Sequence, residues 1–105
     1  MADFLLLYGG GGMPEGEQAQ AKVMEAWGSW FQSLGDSVKD PGNPFGQQAK
    51  TIGASGDVSD GAKHSASGYS IIKASSLDDA VGKAKGCPVL SGGANISVFE
   101  IHPAM

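Results

Sequence analysis

The chain is poor in the residues that mark several common functions. It has a single cysteine, Cys87, so no disulfide can form within it, and its two histidines are far apart, which matches no zinc-binding spacing. The chain has seven lysine and arginine residues and eleven aspartates and glutamates, and the basic residues form no cluster in the sequence. Nucleic acids and anionic membrane surfaces both require basic side chains, so we expect neither as a partner. We also expect no metal and no cofactor.

Long hydrophobic runs are also lacking. The segment Phe4–Tyr8 is too short to cross a membrane and has no basic flank of the kind that precedes a signal peptide. We therefore expect a cytoplasmic protein with a single domain over residues 1–105. Glycine, in contrast, is abundant: seventeen residues, about twice the usual share of roughly 7%. Most lie at segment ends or in the middle of the chain, which indicates loops.

The order of the remaining signals predicts strand, helix, a glycine-rich middle, strand, helix and strand. The main predicted strands and helices are Asp3–Tyr8, about Pro14–Leu34, Gly68–Ala74, Ser76–Lys85 and Asn95–His102. Weaker signals predict brief strands at 37–39 and 50–54, and a turn with a short return at 56–61. Ser76 is predicted as the N-cap of the second helix. Asp79 lies three residues further on, where the side chain of a capping box bonds back to the N-cap backbone N–H. This order is typical of an α+β sheet with helices on one face.

The first strand suggests that the sheet is covered on both sides. Phe4–Tyr8 is continuously apolar, a pattern that favours burial of both strand faces. Helices on one side leave the second face open, so something else should cover it. A chain of this length buries only a modest core, and we expect any pocket to be shallow or completed by a second copy.

Several segments together resemble the YCII-related proteins, and more closely their branch named for the DGPF motif. The matching segments are Tyr8-Gly9, Met24–Trp27, Asp40–Pro44, Asp60-Gly61, Gly68–Ala74, Ser76–Ala80 and Cys87-Pro88. The resemblance implies a ferredoxin-like βαββαβ domain whose sheets pair as a dimeric α+β barrel. It also implies a homodimer, with pockets between the sheet and the loops around the dimer.

The chain departs from this family at two places. Its counterpart of the DGPF signature is Asp60-Gly61-Ala62-Lys63, without the proline and phenylalanine. The founding proteins carry a histidine on the first helix, proposed as half of an acid–base pair, and this first helix has none. An acid–base pair would have to be rebuilt from His64 or His102.

The candidate catalytic residues are His64 and Asp60. A histidine with a nearby carboxylate can act as a general base, with the carboxylate orienting the ring. The alternative is a solvated loop histidine, since the sequence does not place Asp60 within hydrogen-bonding reach of it.

Seven other residues are candidates for binding a ligand: Tyr8, Trp27, Phe31, Asp40, Asn43, Tyr69 and His102. Aromatic side chains at helical or strand spacing can line an apolar pocket, or can equally fill the core. Asp40 and Asn43 belong to a turn sequence, where turn and capping roles compete with ligand binding. His102 can border a pocket mouth or be an exposed residue at a strand end.

Two function hypotheses follow. The first is a small accessory domain that binds a small, partly apolar molecule or stabilises an assembly. The second is a cofactor-free enzyme that moves a proton on a small carbonyl-containing substrate, with His64 as base and Asp60 orienting it. The enzyme requires His64 to face a cavity beside a carboxylate, whereas the binding domain requires only an apolar cavity.

Overall fold

A computed structural model describes residues 1–10, 15–46 and 48–103 of the chain. The strands are β1 (Ala2–Gly9), β2 (Val38–Asp40), β3 (Lys50–Ile52), β4 (Val58–Asp60), β5 (Gly68–Ala74) and β6 (Asn95–Ile101), and the helices are α1 (Glu17–Leu34) and α2 (Leu77–Ala84). Short 3-10 turns occur at Gly35–Ser37 and Pro88–Gly92. Pro14, the predicted start of the first helix, lies outside the described residues.

The main sheet has four antiparallel strands in the order β2-β5-β1-β6. In its centre Leu5 lies between Ile71 of β5 and Phe99 of β6. The strands β3 and β4 form a separate two-stranded sheet. The predicted α+β class is confirmed, and the strand order is compatible with a ferredoxin-like fold. No helix in the described ranges has both the length and the apolar character that a membrane span requires.

The core lies between the helices and one face of the main sheet. Alternate residues of β1 point to this side, and Phe4 and Leu6 are fully buried there. The cluster is completed by a third residue of β1, by residues of β5 and of both helices, and by the cysteine that follows α2: Tyr8, Ile72, Ala74, Trp30, Ala80, Ala84 and Cys87. The prediction that Cys87 is a small apolar filler agrees with its burial.

Helix α1 is attached mainly through its C-terminal half. Of the apolar stripe that the sequence predicts, Trp30 is buried while Ala26 is exposed. The Trp30 indole Nε1 donates a hydrogen bond to the Lys83 carbonyl at 3.1 Å, which joins α1 to α2. This contact satisfies the polar atom of a large buried aromatic residue.

Helix α2 begins at the predicted cap. The Ser76 Oγ accepts a hydrogen bond from the Asp79 backbone N–H at 3.0 Å. The Asp79 carboxylate reaches back one residue further than a capping box would place it, and accepts from the backbone N–H of Ser75 at 3.0 Å. It also pairs with Lys83 one turn along. The Ser75 N–H first, and then Lys83, lower the pKa of Asp79.

Candidate functional site

The most exposed apolar surface of the sheet is the side opposite the helices, which we call the open face. The strand registers place alternate residues of three strands on it: Asp3, Leu5 and Leu7 of β1, Tyr69, Ile71 and Lys73 of β5, and Ser97, Phe99 and Ile101 of β6. Phe99 is 51% exposed and Ile101 37%. Leu5, Leu7 and Ile71 are only half-buried. Within one chain, therefore, β1 is buried on one face and not on both.

A polar corner borders the open face where β2 ends, and we call it the Asp40 corner, formed by Asp40, Phe45 and Tyr69. The Tyr69 hydroxyl donates to Asp40 Oδ2 at 3.3 Å, and the Gly42 backbone N–H donates to Asp40 Oδ1 at 2.8 Å. The rings of Phe45 and Tyr69 stack with centroids 6.0 Å apart. Asp40 thus has the predicted turn role and also contacts a candidate binding residue.

The turn after Asp40 is held tightly against β5. The Tyr69 backbone N–H donates to the Asn43 carbonyl at 3.3 Å. Gly42 has a positive φ of 75°, and a Cβ there would lie 1.7 Å from the Tyr69 carbonyl oxygen. Only glycine combines this backbone conformation with so close an approach. The turn therefore fixes the position of the Asp40 corner relative to the open face.

The charges of the open face balance one another. Lys39 pairs with Asp3 at one end of the face. Lys73 lies beside Asp3 in the strand register, and Asp40 lies level with Ile71. Two lysines and two aspartates therefore border an apolar centre, in a chain whose net charge is −4. Such a surface is suited to burial against an apolar surface of no net charge or against a partly apolar molecule.

The other aromatic candidates lie together on the helix side of the sheet. The Trp27 ring meets Tyr8 edge-on at 5.4 Å and lies 5.7 Å from Phe31. The Tyr8 hydroxyl donates to Ser70 Oγ at 2.7 Å, and Ser70 donates to the Pro41 carbonyl at 2.7 Å. These rings form part of the core and the layer around it. The candidate binding residues are therefore divided between the two faces of the sheet.

Burial affects two ionisable groups in this core. It raises the pKa of the Tyr8 phenol, an effect that the Ser70 hydrogen bond partly opposes. It also raises the pKa of the Cys87 thiol, against the effect of a hydrogen bond from the Val89 backbone. Both groups are therefore neutral at physiological pH, which is the state of a structural residue rather than of a nucleophile.

The candidate catalytic pair is not joined. The Asp60 carboxylate accepts a hydrogen bond from Lys50 Nζ at 2.7 Å, across the β3–β4 pair. His64 is exposed in the loop that follows β4, and the described part of the chain holds no hydrogen bond or ion pair between His64 and Asp60. His102 is exposed just after β6, with Nε2 3.8 Å from a Glu100 oxygen. In residues 1–10, 15–46 and 48–103, no three metal-ligating side chains lie close enough to hold an ion.

Sequence reasoning missed Phe45 and Lys39 as parts of the site. Phe45 follows the turn sequence Asp40–Pro44 and had no periodic partner that would indicate where its ring lies. Its position beside Tyr69 depends on the bridge between Pro44 and Gly68, a tertiary contact. The signal in the sequence that could have identified Phe45 is an aromatic residue directly after a turn that contains two prolines and a glycine.

Comparison with known proteins finds no matching family model, and no significant match among curated proteins or solved structures. The resemblance drawn from the sequence segments therefore stays a prediction.

Proposed function

We propose that this chain is a homodimeric binding domain, in which two copies cover each other's open face and hold a small, partly apolar molecule near the Asp40 corner. The observation that carries the proposal is the apolar, charge-balanced open face of β1, β5 and β6. The resemblance to the DGPF branch of the YCII-related proteins favours the same arrangement, a dimeric α+β barrel of ferredoxin-like domains.

The amount of exposed surface supports a partner. The accessible surface of the chain is 7335 Å², whereas a monomeric protein of 10.7 kDa exposes about 5,500 Å². The radius of gyration is 15.2 Å, against about 13 Å for a compact domain of this length. The excess of about 1,800 Å² exceeds the roughly 800 Å² that each partner contributes to a standard interface.

The charge pattern supports a second copy as that partner. Each chain carries a net charge of −4, so two copies repel through most of their surfaces. The open face is locally neutral because Lys39 and Lys73 offset Asp3 and Asp40. A two-fold interface brings the same patch of both copies together, and a neutral patch with an apolar centre meets that requirement.

The Asp40 corner supports the binding role. Phe45 is 46% exposed and offers a ring face beside Tyr69. The Tyr69 Oη, whose proton is donated to Asp40, and the Asp40 carboxylate offer hydrogen-bond acceptors within reach of the same space. Once a second copy covers the apolar centre, this corner lies at the border of the covered area. The ligand class that fits is a small molecule with an apolar ring or chain and one hydrogen-bonding group.

A thermal-shift screen against small metabolites tests the binding role, with wild type, Phe45→Ala and His64→Ala compared. A ligand at 100 times its Kd stabilises the native state by about 2.7 kcal/mol. We expect hits on wild type that Phe45→Ala loses and His64→Ala keeps. Hits that His64→Ala loses would instead place the site at the loop after β4, and would contradict the proposed corner.

Dimer formation is tested with a matched pair of lysine substitutions. Phe99→Lys places a charge in the open face, whereas Met24→Lys changes an exposed residue of α1 (62% exposed) on the other side of the molecule. Burying an unpaired charge in the interface should weaken the dimer at least about tenfold. Met24→Lys should leave the dissociation constant unchanged. Equal effects of the two variants would contradict pairing through the open face.

A further inference from the structure

Among the residues that the structure describes, the strands of the β3–β4 hairpin pair only with each other and stand apart from the main sheet. Ile52 and Val58 lie opposite one another on one side of the hairpin, 72% and 60% exposed. An isolated two-stranded hairpin is at best marginally stable in water, and adjacent exposed aliphatic side chains add to that cost. The hairpin therefore needs a surface to pack on.

Both ends of the hairpin are anchored at the border of the open face. Before it, Phe45 stacks on Tyr69, and its backbone N–H donates to the Ser67 carbonyl at 2.8 Å. After it, the Ser67 N–H donates to the Tyr8 carbonyl at 2.7 Å. The hairpin thus leaves the fold beside the Asp40 corner, where a second copy seated on the open face has its edge.

The hairpin is long enough to reach such a partner. The segment 57–61, which contains β4 and leads to the turn, spans about 13 Å at roughly 3.3 Å per residue. A four-stranded sheet is about 14 Å wide between its outer strands, at roughly 4.8 Å per spacing. An extended hairpin rooted at the border of one sheet can therefore pass over an edge of the facing sheet.

We infer that the β3–β4 hairpin is an arm that packs its Ile52–Val58 side on the second copy of this chain. The inference rests on the proposed dimer. The side that carries Ile52 and Val58 also carries Lys50 and Asp60, whose side chains pair at 2.7 Å, so it has no net charge. The turn beside this side carries the one uncompensated charge of the hairpin, Asp57. A neutral, apolar side suits contact with an acidic copy of the same chain better than a charged side would.

The size of the exposed surface supports the arm as well. The excess of about 1,800 Å² over a monomer of this mass is more than twice the roughly 800 Å² that one partner of a standard interface buries. An interface that combines the open face with a pair of exchanged arms uses more of this surface than a face-to-face contact of standard size, because two-fold symmetry doubles every arm contact.

The test compares the double variant Ile52→Lys with Val58→Lys against Ser59→Lys, which lies on the opposite side of the same hairpin. Sedimentation equilibrium measures the dimer dissociation constant of each. We expect the double variant to raise the constant at least about tenfold, and Ser59→Lys to change it by less than about threefold. Circular dichroism checks that the main fold is retained in both variants.

Hydrogen exchange on the wild-type chain provides the second measurement. Amides of residues 50–60 should exchange rapidly in dilute protein and slow down as the concentration rises through the dimer dissociation constant. If the wild type dimerises but its hairpin exchange does not change with concentration, the arm is overturned and the dimer is not. The same holds if the double variant dimerises with the affinity of the wild type. Slow hairpin exchange already present in the monomer would place the arm on its own chain. A monomer at every concentration would overturn the dimer and the arm together.

Discussion

The phenol of Tyr8 donates a 2.7 Å hydrogen bond to the hydroxyl of Ser70, its diagonal neighbour across the β1–β5 pair. Ser70 is fully buried, and its own hydroxyl donates a second hydrogen bond to the Pro41 carbonyl at 2.7 Å. Pro41 belongs to the turn that carries the Asp40 corner. This chain of two hydrogen bonds therefore links the helix side of the sheet to the turn beside the open face.

Removing the Ser70 hydroxyl, which lies between Tyr8 and Pro41 in these two hydrogen bonds, should destabilise the fold. Ser70→Ala leaves the Tyr8 hydroxyl and the Pro41 carbonyl without this partner, and we expect it to lower the free energy of unfolding by about 1–3 kcal/mol. Ser29→Ala, on the exposed surface of α1, should change it by less than about 0.5 kcal/mol. Urea unfolding of the two variants checks the difference. An equally small effect of both would show that the buried bonds contribute little.

Stability should fall in alkaline solution. Burial raises the pKa of Tyr8 above its ordinary value near 10, so the unfolded chain releases this proton at a pH where the folded chain still holds it. The contribution of Tyr8 to the free energy of unfolding is then constant below the unfolded pKa and declines as the pH rises above about 10. Burial raises the pKa of Cys87 as well, so its contribution has the same sign.

Urea unfolding between about pH 8 and pH 11 measures this decline, with Tyr8→Phe as the comparison. The variant has no phenol to ionise at this position, so its stability should fall less steeply over the same interval. Tyrosine absorbance gives a second readout, because the buried phenol should titrate only when the protein unfolds. Parallel curves for wild type and variant would contradict the assignment to Tyr8.

The close approach at Gly42 gives a prediction about the turn. Gly42→Ala forces a Cβ to within 1.7 Å of the Tyr69 carbonyl oxygen, so the turn must move away from β5. Gly56→Ala is a matched control, since Gly56 also has a positive φ, of 93°, but faces open space. The control should cost about 1–2 kcal/mol from backbone strain alone. Thermal unfolding should show a clearly larger loss for Gly42→Ala, and equal losses would contradict the clash.

The Asp79 carboxylate should stabilise the start of α2 more than its neighbour Asp78 does. Asp79 accepts from Ser75 and pairs with Lys83, and these contacts lower its pKa. Asp79→Asn should therefore lower the Tm more than Asp78→Asn, which removes the same charge from the same helical turn. Because the pKa of Asp79 is lowered in the folded state, its ionised carboxylate stabilises the fold at pH values above the ordinary pKa of an aspartate. This stabilisation is lost as the pH falls through the folded-state pKa. The difference in Tm between the two variants should therefore disappear in acid. A difference in Tm that persists there would contradict the role assigned to the Asp79 carboxylate.

The main elements of the fold were predictable because their signals are local. The strand Gly68–Ala74 has the predicted bounds, and Ser76 caps the following helix as expected. The predicted weak strand and short return at 50–61 form a real hairpin. The partner of the Asp79 carboxylate differs from the predicted one. Two adjacent serines offer backbone N–H groups, and Asp79 accepts from that of Ser75 instead of that of Ser76.

The site was less predictable because it depends on contacts between distant segments. The pairing of Tyr69 with Asp40 and Phe45 joins residues across a loop that includes the whole hairpin. His64 and Asp60 are close in sequence, yet cross-strand pairing directs the Asp60 carboxylate to Lys50. Nothing local indicates that choice. The apolar character of Phe4–Tyr8 did identify the strand whose second face is left open.

The mass of the wild-type protein in solution tests the central claim most directly. Sedimentation equilibrium at micromolar concentration should give about 21 kDa, twice the 10.7 kDa of one chain, and Phe99→Lys should shift the mass towards that of a single chain. A mass of 10.7 kDa for the wild type throughout the concentration range would contradict pairing through the open face.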